Sequence, residues 1–244
     1  MNTSLNKYIS DTGFCSRRKA DQFIEEGRVT INGTIAKKGN RVFESDIVLV
    51  DGEPVKNKPV PVYIMLNKPK GVTCTTDRKD ATNIIDFVNY KGRIFPIGRL
   101  DKLSEGLIFL TNDGDIVNKI LRAGNLHEKE YVVTTDQPIT AEFVNTMRGG
   151  VAILGTVTNT CFVKKEGPKK FRIILTQGLN RQIRRMCAAL GYKVTSLTRV
   201  RIMNITLHEL ATGKWRHFST SEMREINEMV KHSSKTAHED SMGE

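Results

Sequence analysis

Apolar and polar positions recur with two different periods along this chain, and the change of period divides it. Leu5, Tyr8 and Ile9 fall at helical spacing, and Asp11-Thr12-Gly13 ends that run. Ser16 then offers an N-cap to a second helix, with Ala20, Phe23 and Ile24 as its buried stripe and Gly27 as its stop. Residues 28–33 read as a β-run closing in an Asn32-Gly33 turn, and 47–52 as a second strand ending in Asp51-Gly52. Residues 55–61 hold two prolines and two lysines without an apolar period and read as a linker.

Beyond the linker the pattern becomes β-rich. Strands are expected over 62–66, 94–98, 107–110, 131–135, 171–175 and 199–207, and helices over 81–88, 115–122, 140–147, 181–190 and 221–229. Such mixed runs indicate an α+β protein. A small N-terminal domain of helices and short strands (1–58) precedes a second domain (59–230) with a mixed, largely antiparallel sheet flanked by helices. Residues 231–244 are polar and expected to be disordered.

Composition narrows the class. At 244 residues, 39% of them hydrophobic and 27% charged, the chain is long and apolar enough to bury a core. The N-terminus lacks the apolar segment of a secretion signal and every apolar run is short, so a cytoplasmic protein without a membrane span is expected. Cys15, Cys74, Cys161 and Cys187 are far apart, which suits reduced, buried thiols rather than a zinc box. Lys68-Pro69-Lys70-Gly71 lacks the glycines and Lys-Ser/Thr of a phosphate loop, and no G-x-S-x-G or metal-ligand spacing occurs. No cofactor and no metal are therefore expected.

The net charge of +11 points to a polyanionic partner. It is concentrated: residues 161–201 carry eleven basic residues against one acid, Glu166, and no carboxylate follows until Glu209. A surface that must not repel phosphates fits this stretch better than an ordinary solvated one, which interleaves both signs. In the N-terminal unit Arg17 and Arg18 stand in the first helical turn, against the sign the helix dipole favours, which suits arginines aimed at an anion.

Three blocks carry candidate chemistry. In Gly98-Arg99-Leu100-Asp101-Lys102, followed by Gly106 and a strand, Asp101 sits at a strand end, exposed for nucleophile or base work, or simply capping a turn. In Lys129-Glu130-Tyr131 an aromatic enters a strand and offers a flat face to a flipped base, or is an ordinary strand tyrosine. In Leu179-Asn180-Arg181-Gln182-Ile183-Arg184-Arg185 a helix opens with three arginines. Arg181 and Arg184, at i and i+3, hold phosphates, pair with a carboxylate, or merely coat a basic helix.

Together, in this order and spacing, the blocks resemble the RNA pseudouridine synthases of the RsuA type. Ser16-Arg17-Arg18 and Gly27-Arg28-Val29 through Ile31-Asn32-Gly33 resemble the S4 RNA-binding domain. The resemblance covers about residues 3–230. It implies isomerisation of uridine to pseudouridine without cofactor, in structured RNA such as 23S ribosomal RNA, with transfer RNA open as a second substrate. It further implies a monomer. Asp101 becomes the catalytic carboxylate, Tyr131 the stacking partner of uracil, Arg184 the ion-pair partner of Asp101, and Arg99 the side chain that fills the gap left by the flipped nucleotide. Leu100, Lys102, Lys129, Arg181, Gln182, Ile183 and Arg185 are expected to contact RNA, as are Lys7, Arg17, Arg18 and Arg28 of the N-terminal unit. Whether Asp101 attacks C1′, attacks C6 or removes the 2′ proton stays open. A non-catalytic S4-type assembly factor is the main alternative reading, and a nucleoside hydrolase another. The first leaves the Asp–Tyr–Arg set without a purpose; the second calls for a paired second acid.

Overall fold

A computed structural model describes residues 2–55 and 57–233. The chain separates into two compact units, Met1–Pro61 with Asn112–Gly114, and Val62–Thr111 with Asp115–Glu244.

The first unit opens with β1 (Thr3–Ser4), α1 (Leu5–Asp11) and α2 (Arg17–Glu25). The Ser16 side chain accepts from the Lys19 N–H, capping α2 as its position suggests. Then come β2 (Val29–Ile31), β3 (Thr34–Ile35), β4 (Arg41–Val42), β5 (Val48–Val50) and β6 (Glu53–Pro54). Asn32-Gly33 and Asp51-Gly52 all have positive φ, the geometry of tight hairpin turns. Ala20, Phe23 and Ile24 pack with Leu5, Ile9, Val29 and Val48 into one core. Val55 hydrogen-bonds to Val48 and joins that core, so the segment expected to be a linker begins after it; Lys56 lies outside the described residues.

The second unit runs β7 (Tyr63–Lys68), α3 (Ile84–Val88), β8 (Phe95–Ile97), β9 (Glu105–Thr111), α4 (Gly114–Leu121), β10 (Lys129–Thr135), α5 (Ala141–Gly149), β11 (Ala152–Ile153) and β12 (Thr156–Val157). It continues with β13 (Phe162–Gly167), β14 (Lys170–Leu175), α6 (Gln182–Ala189), β15 (Val194–Ile202), β16 (Ile205–Thr206), β17 (Trp215–His217) and α7 (Thr220–Met229). Its main sheet has the order β13-β14-β10-β15-β9-β7-β17, with β8 on β9 and β16 on β15. Every pairing is antiparallel except β15 with β9 at its centre. The fold is therefore the α+β arrangement the sequence implies.

The centre reads as unbroken apolar runs because both faces are covered. Ile64, Leu66, Ile108 and Leu110 face α3, while Met65, Leu107 and Phe109 face α4 and α7. Val133, Ile173 and Leu197 pack under α5 and α6.

Several expectations need correction. The strand expected over 199–207 starts at Val194 and turns back at Met203, whose φ is positive. β13 and β17 carry polar or charged residues at alternate or successive positions and were not anticipated. The disorder expected from residue 231 does not hold for 231–233: Ser233 bonds through its N–H to Val230 and through Oγ to His127 Nε2 at 2.9 Å. Residues 234–244 lie outside the described residues. Cys74 and Cys187 are buried, but Cys15 and Cys161 are only half-buried. Among the described residues no helix is long and apolar enough to cross a membrane.

Candidate active site

The three sequence blocks meet at one cleft in the second unit. β8 delivers Arg99–Asp101 at its exit, β10 contributes Tyr131, and the turn before α6 contributes Arg181. The cleft measures about 610 Å³, and a hollow of about 100 Å³ beside it is lined by the Asp101, Tyr131 and Arg184 side chains, among others.

Asp101 is 31% exposed and held from two sides. Arg181 Nη1 donates to Asp101 Oδ2 at 3.1 Å, and Arg184 Nε lies 3.4 Å from the same oxygen. The closer guanidinium thus belongs to Arg181, not to Arg184 alone as the sequence implies. Nor do the two arginines share a helical face. Arg181 is the N-cap of α6, in the left-handed region with φ +50°, and that conformation turns it towards the carboxylate. A non-glycine residue there stores about 1–3 kcal/mol, a cost often found at functional sites.

Arg184 is fixed further by Ser104 Oγ at 3.1 Å and the Val194 carbonyl at 3.3 Å. Ser104 is buried, and its N–H bonds to the Asp101 carbonyl, so one residue closes the Asp101 turn and anchors the arginine. Sequence reasoning missed Ser104. It also dismissed Lys68-Pro69-Lys70-Gly71, which proves to be a brace. Fully buried Lys68 places its ammonium on the Pro69 and Val72 carbonyls at 2.9 Å, with burial pulling its pKa down. The Gly71 N–H reaches the Lys102 carbonyl, and Cys74 Sγ accepts from the Leu100 N–H at 3.3 Å.

Tyr131 is half-buried between two apolar clusters and lines both cavities, so part of its ring faces the open space. Arg99 is exposed and also lines both; Lys102 stands exposed at the rim.

Four residues expected to touch RNA, Leu100, Lys129, Gln182 and Ile183, are buried by packing or bracing, and each also lines the cleft or its hollow. Leu100 and Ile183 belong to the apolar cores. Gln182 holds the preceding loop, accepting from the Leu179 N–H and donating to Gln177. Lys129 donates to the His127 and Thr176 carbonyls, and burial, aided by the charge of Arg199, pulls its pKa down to about 8. Arg185 is exposed but bonded to Asn180. In the first unit Lys7 pairs with Asp11. Arg28 clasps Asp51 and Glu26 and lies over the Phe23 ring, while staying exposed. Arg17 and Arg18 are exposed, and no ion pair engages either among the described residues.

The basic stretch 161–201 is likewise not one open surface. Glu130, beside Tyr131 but pointing to the other face of β10, binds both Arg172 and Arg201; Glu166 and Glu128 complete that network. Arg172 and Arg201 are thereby compensated within the sheet.

Residues 62–189 match the RNA pseudouridylate synthase family, and residues 3–48 match the S4 domain. The chain belongs to the RNA pseudouridylate synthase family. It is 56% identical over 237 residues to a dual-specificity RNA pseudouridine synthase RluF of Salmonella typhi, covering 96% of this chain and 82% of that one. A ribosomal large subunit pseudouridine synthase B of Bacillus subtilis is 33% identical over 237 residues, covering 93% and 97%. A crystal structure of a pseudouridylate synthase, 29% identical, aligns with a TM-score of 0.68 over 92% of this chain and 99% of that one. As a member of this family with an S4 domain, the chain is an RNA-binding isomerase.

Proposed function

We propose that this enzyme converts a uridine of 23S ribosomal RNA to pseudouridine, with Asp101 as its catalytic carboxylate. The observation that carries the reading is the meeting of Asp101, Tyr131, Arg181 and Arg184 at one cleft open to a nucleotide. The reaction breaks the N1–C1′ bond, turns the base and forms a C5–C1′ bond. No atom is gained, so the residues on hand suffice. The uridine must leave its stack at a cost of a few kcal/mol, least for a base already in a loop or bulge. Phosphate contacts offset this cost. Arg99 and Lys102 at the rim supply them, with Arg17 and Arg18 in the RNA-binding domain over 1–58, while 59–230 performs the chemistry.

Tyr131 presents its ring to the flipped uracil. Arg181 and Arg184 hold Asp101 as an oriented anion facing the sugar. Ribosomal RNA as substrate is supported by the name of the Bacillus relative, and transfer RNA as a second substrate suits relatives named dual-specificity. The enzyme acts in the cytoplasm, on ribosomal RNA, as a monomer.

The test is carbodiimide mapping of 23S RNA from a strain lacking this gene, before and after incubation with the protein. One new carbodiimide-dependent, alkali-resistant stop of reverse transcription is expected. No stop, or release of free uracil, would overturn the reading.

A further inference from the structure

Arg199 is the most deeply buried arginine of the cleft, 4% exposed. It sits on β15 directly opposite Tyr131 on β10, so both side chains leave the sheet on one face. Its Nε donates to the Leu107 carbonyl at 2.7 Å. Its Nη2 is buried with no hydrogen-bond partner, and among the described residues no carboxylate pairs with the guanidinium. Burying a cation costs several kcal/mol and is ordinarily matched by a buried anion. Here none is supplied among the described residues. A second buried basic side chain, Lys129, lines the same cleft, and burial first and the charge of Arg199 second pull its pKa down.

The missing counter-charge must therefore come with the ligand. The exposed cations at the rim, Arg99 and Lys102, are the ones placed to meet RNA phosphates. The floor beside Tyr131 receives the base. Uracil is neutral on arrival and becomes charged only when its bond to the sugar breaks. Resting on the activity proposed above, we infer that Arg199 is the group that stabilises the detached uracil as an anion, through hydrogen bonds to a ring carbonyl oxygen.

The N1–C1′ electron pair moves onto the base, where it spreads over N1, O2 and O4. Arg199 stays protonated throughout and forms no covalent bond. After the base turns, C5 returns an electron pair to C1′. That bond makes the ring neutral; the C5 proton then leaves to a base or water and N1 takes up a proton, which gives the N1–H of pseudouridine. The charge that Arg199 meets thus exists between the two bond changes and not in the bound substrate, which is the condition for lowering a barrier rather than tightening binding.

The test uses the full-length protein and single-turnover rates of N1–C1′ cleavage on two RNAs of one sequence, carrying uridine or 5-fluorouridine at the target. Fluorine stabilises negative charge on the ring, so the base departs with less help. Arg199→Gln is expected to bind RNA within about twofold of wild type and to lose about 100-fold in rate on uridine. The loss on 5-fluorouridine is expected to be several-fold smaller, and Arg199→Lys is expected to recover part of the rate. If Arg199→Gln does not fold, the same comparison is read from Arg199→Lys. Equal losses on the two RNAs, an unchanged rate, or an affinity loss that matches the rate loss would overturn the role of Arg199. A wild-type protein inert on both RNAs would instead overturn the activity reading, and this inference with it.

Discussion

Gly106 lets β15 pass over it at Arg199. A methyl group on its α-carbon would stand 2.7 Å from the Arg199 amide nitrogen and closer still to the Arg199 carbonyl oxygen, and its φ of +107° suits only glycine. At this point β9 and β15 join in parallel, in register Arg199 with Gly106. The contact links the strand that follows the Asp101 turn to the strand that carries Arg199.

Gly106→Ala is accordingly expected to destabilise the second unit by about 3 kcal/mol or more, because backbone rather than a flexible side chain must give way. Urea unfolding followed by circular dichroism measures this. A midpoint equal to that of wild type would show that the close approach is not a constraint.

Glu222 governs the acid limb of stability. Both its oxygens accept from Arg216 at 2.8 Å, and one also accepts from the Ser219 N–H in a capping box at the start of α7. Arg216 above all holds its carboxyl at about 2, below the ordinary 4.5. A depressed carboxylate value means stability that is present above about pH 4.5 and lost as pH falls towards 2. Arg216 is 40% exposed, so screening reduces the contribution to about 1–2 kcal/mol. Glu222→Gln is expected to cost that amount at pH 7, with the gap to wild type closing as pH falls from 4.5 to 2. Denaturant melts across that range test it; a gap independent of pH would contradict it.

Much of this was legible in the sequence, for physical reasons. The Ser16 cap, the stripe Ala20-Phe23-Ile24 and the Asn-Gly turn are local signals, and local structure obeys them. The Asp101, Tyr131 and Arg184 positions were legible as a set only through a family resemblance, since strand order brings them together and spacing does not encode it. What escaped was non-local. Ser104 is an unremarkable serine until the fold sets Arg184 against it. Glu130, to which the sequence assigns no role, neutralises two arginines distant in sequence. Lys129 is expected to contact RNA; what the sequence does not show is that strand pairing buries it in the cleft wall. Arg181 looked helical; its left-handed backbone gives Asp101 its nearer partner.

RNA affinity is expected to fall steeply with salt through counterion release. Arg17→Ala and Arg18→Ala together are expected to lower the slope of log K against log salt by about 2. Fluorescence anisotropy at several ionic strengths measures it. A flat response in wild type would contradict docking led by phosphate contacts.

The central claim concerns Asp101, and tritium release from RNA labelled at uridine C5 tests it most directly, because that hydrogen is lost only when C5 joins the sugar. Wild type is expected to release one tritium per target site, and Asp101→Asn to release none while binding the RNA with nearly wild-type affinity. Substantial release by Asp101→Asn would contradict the account.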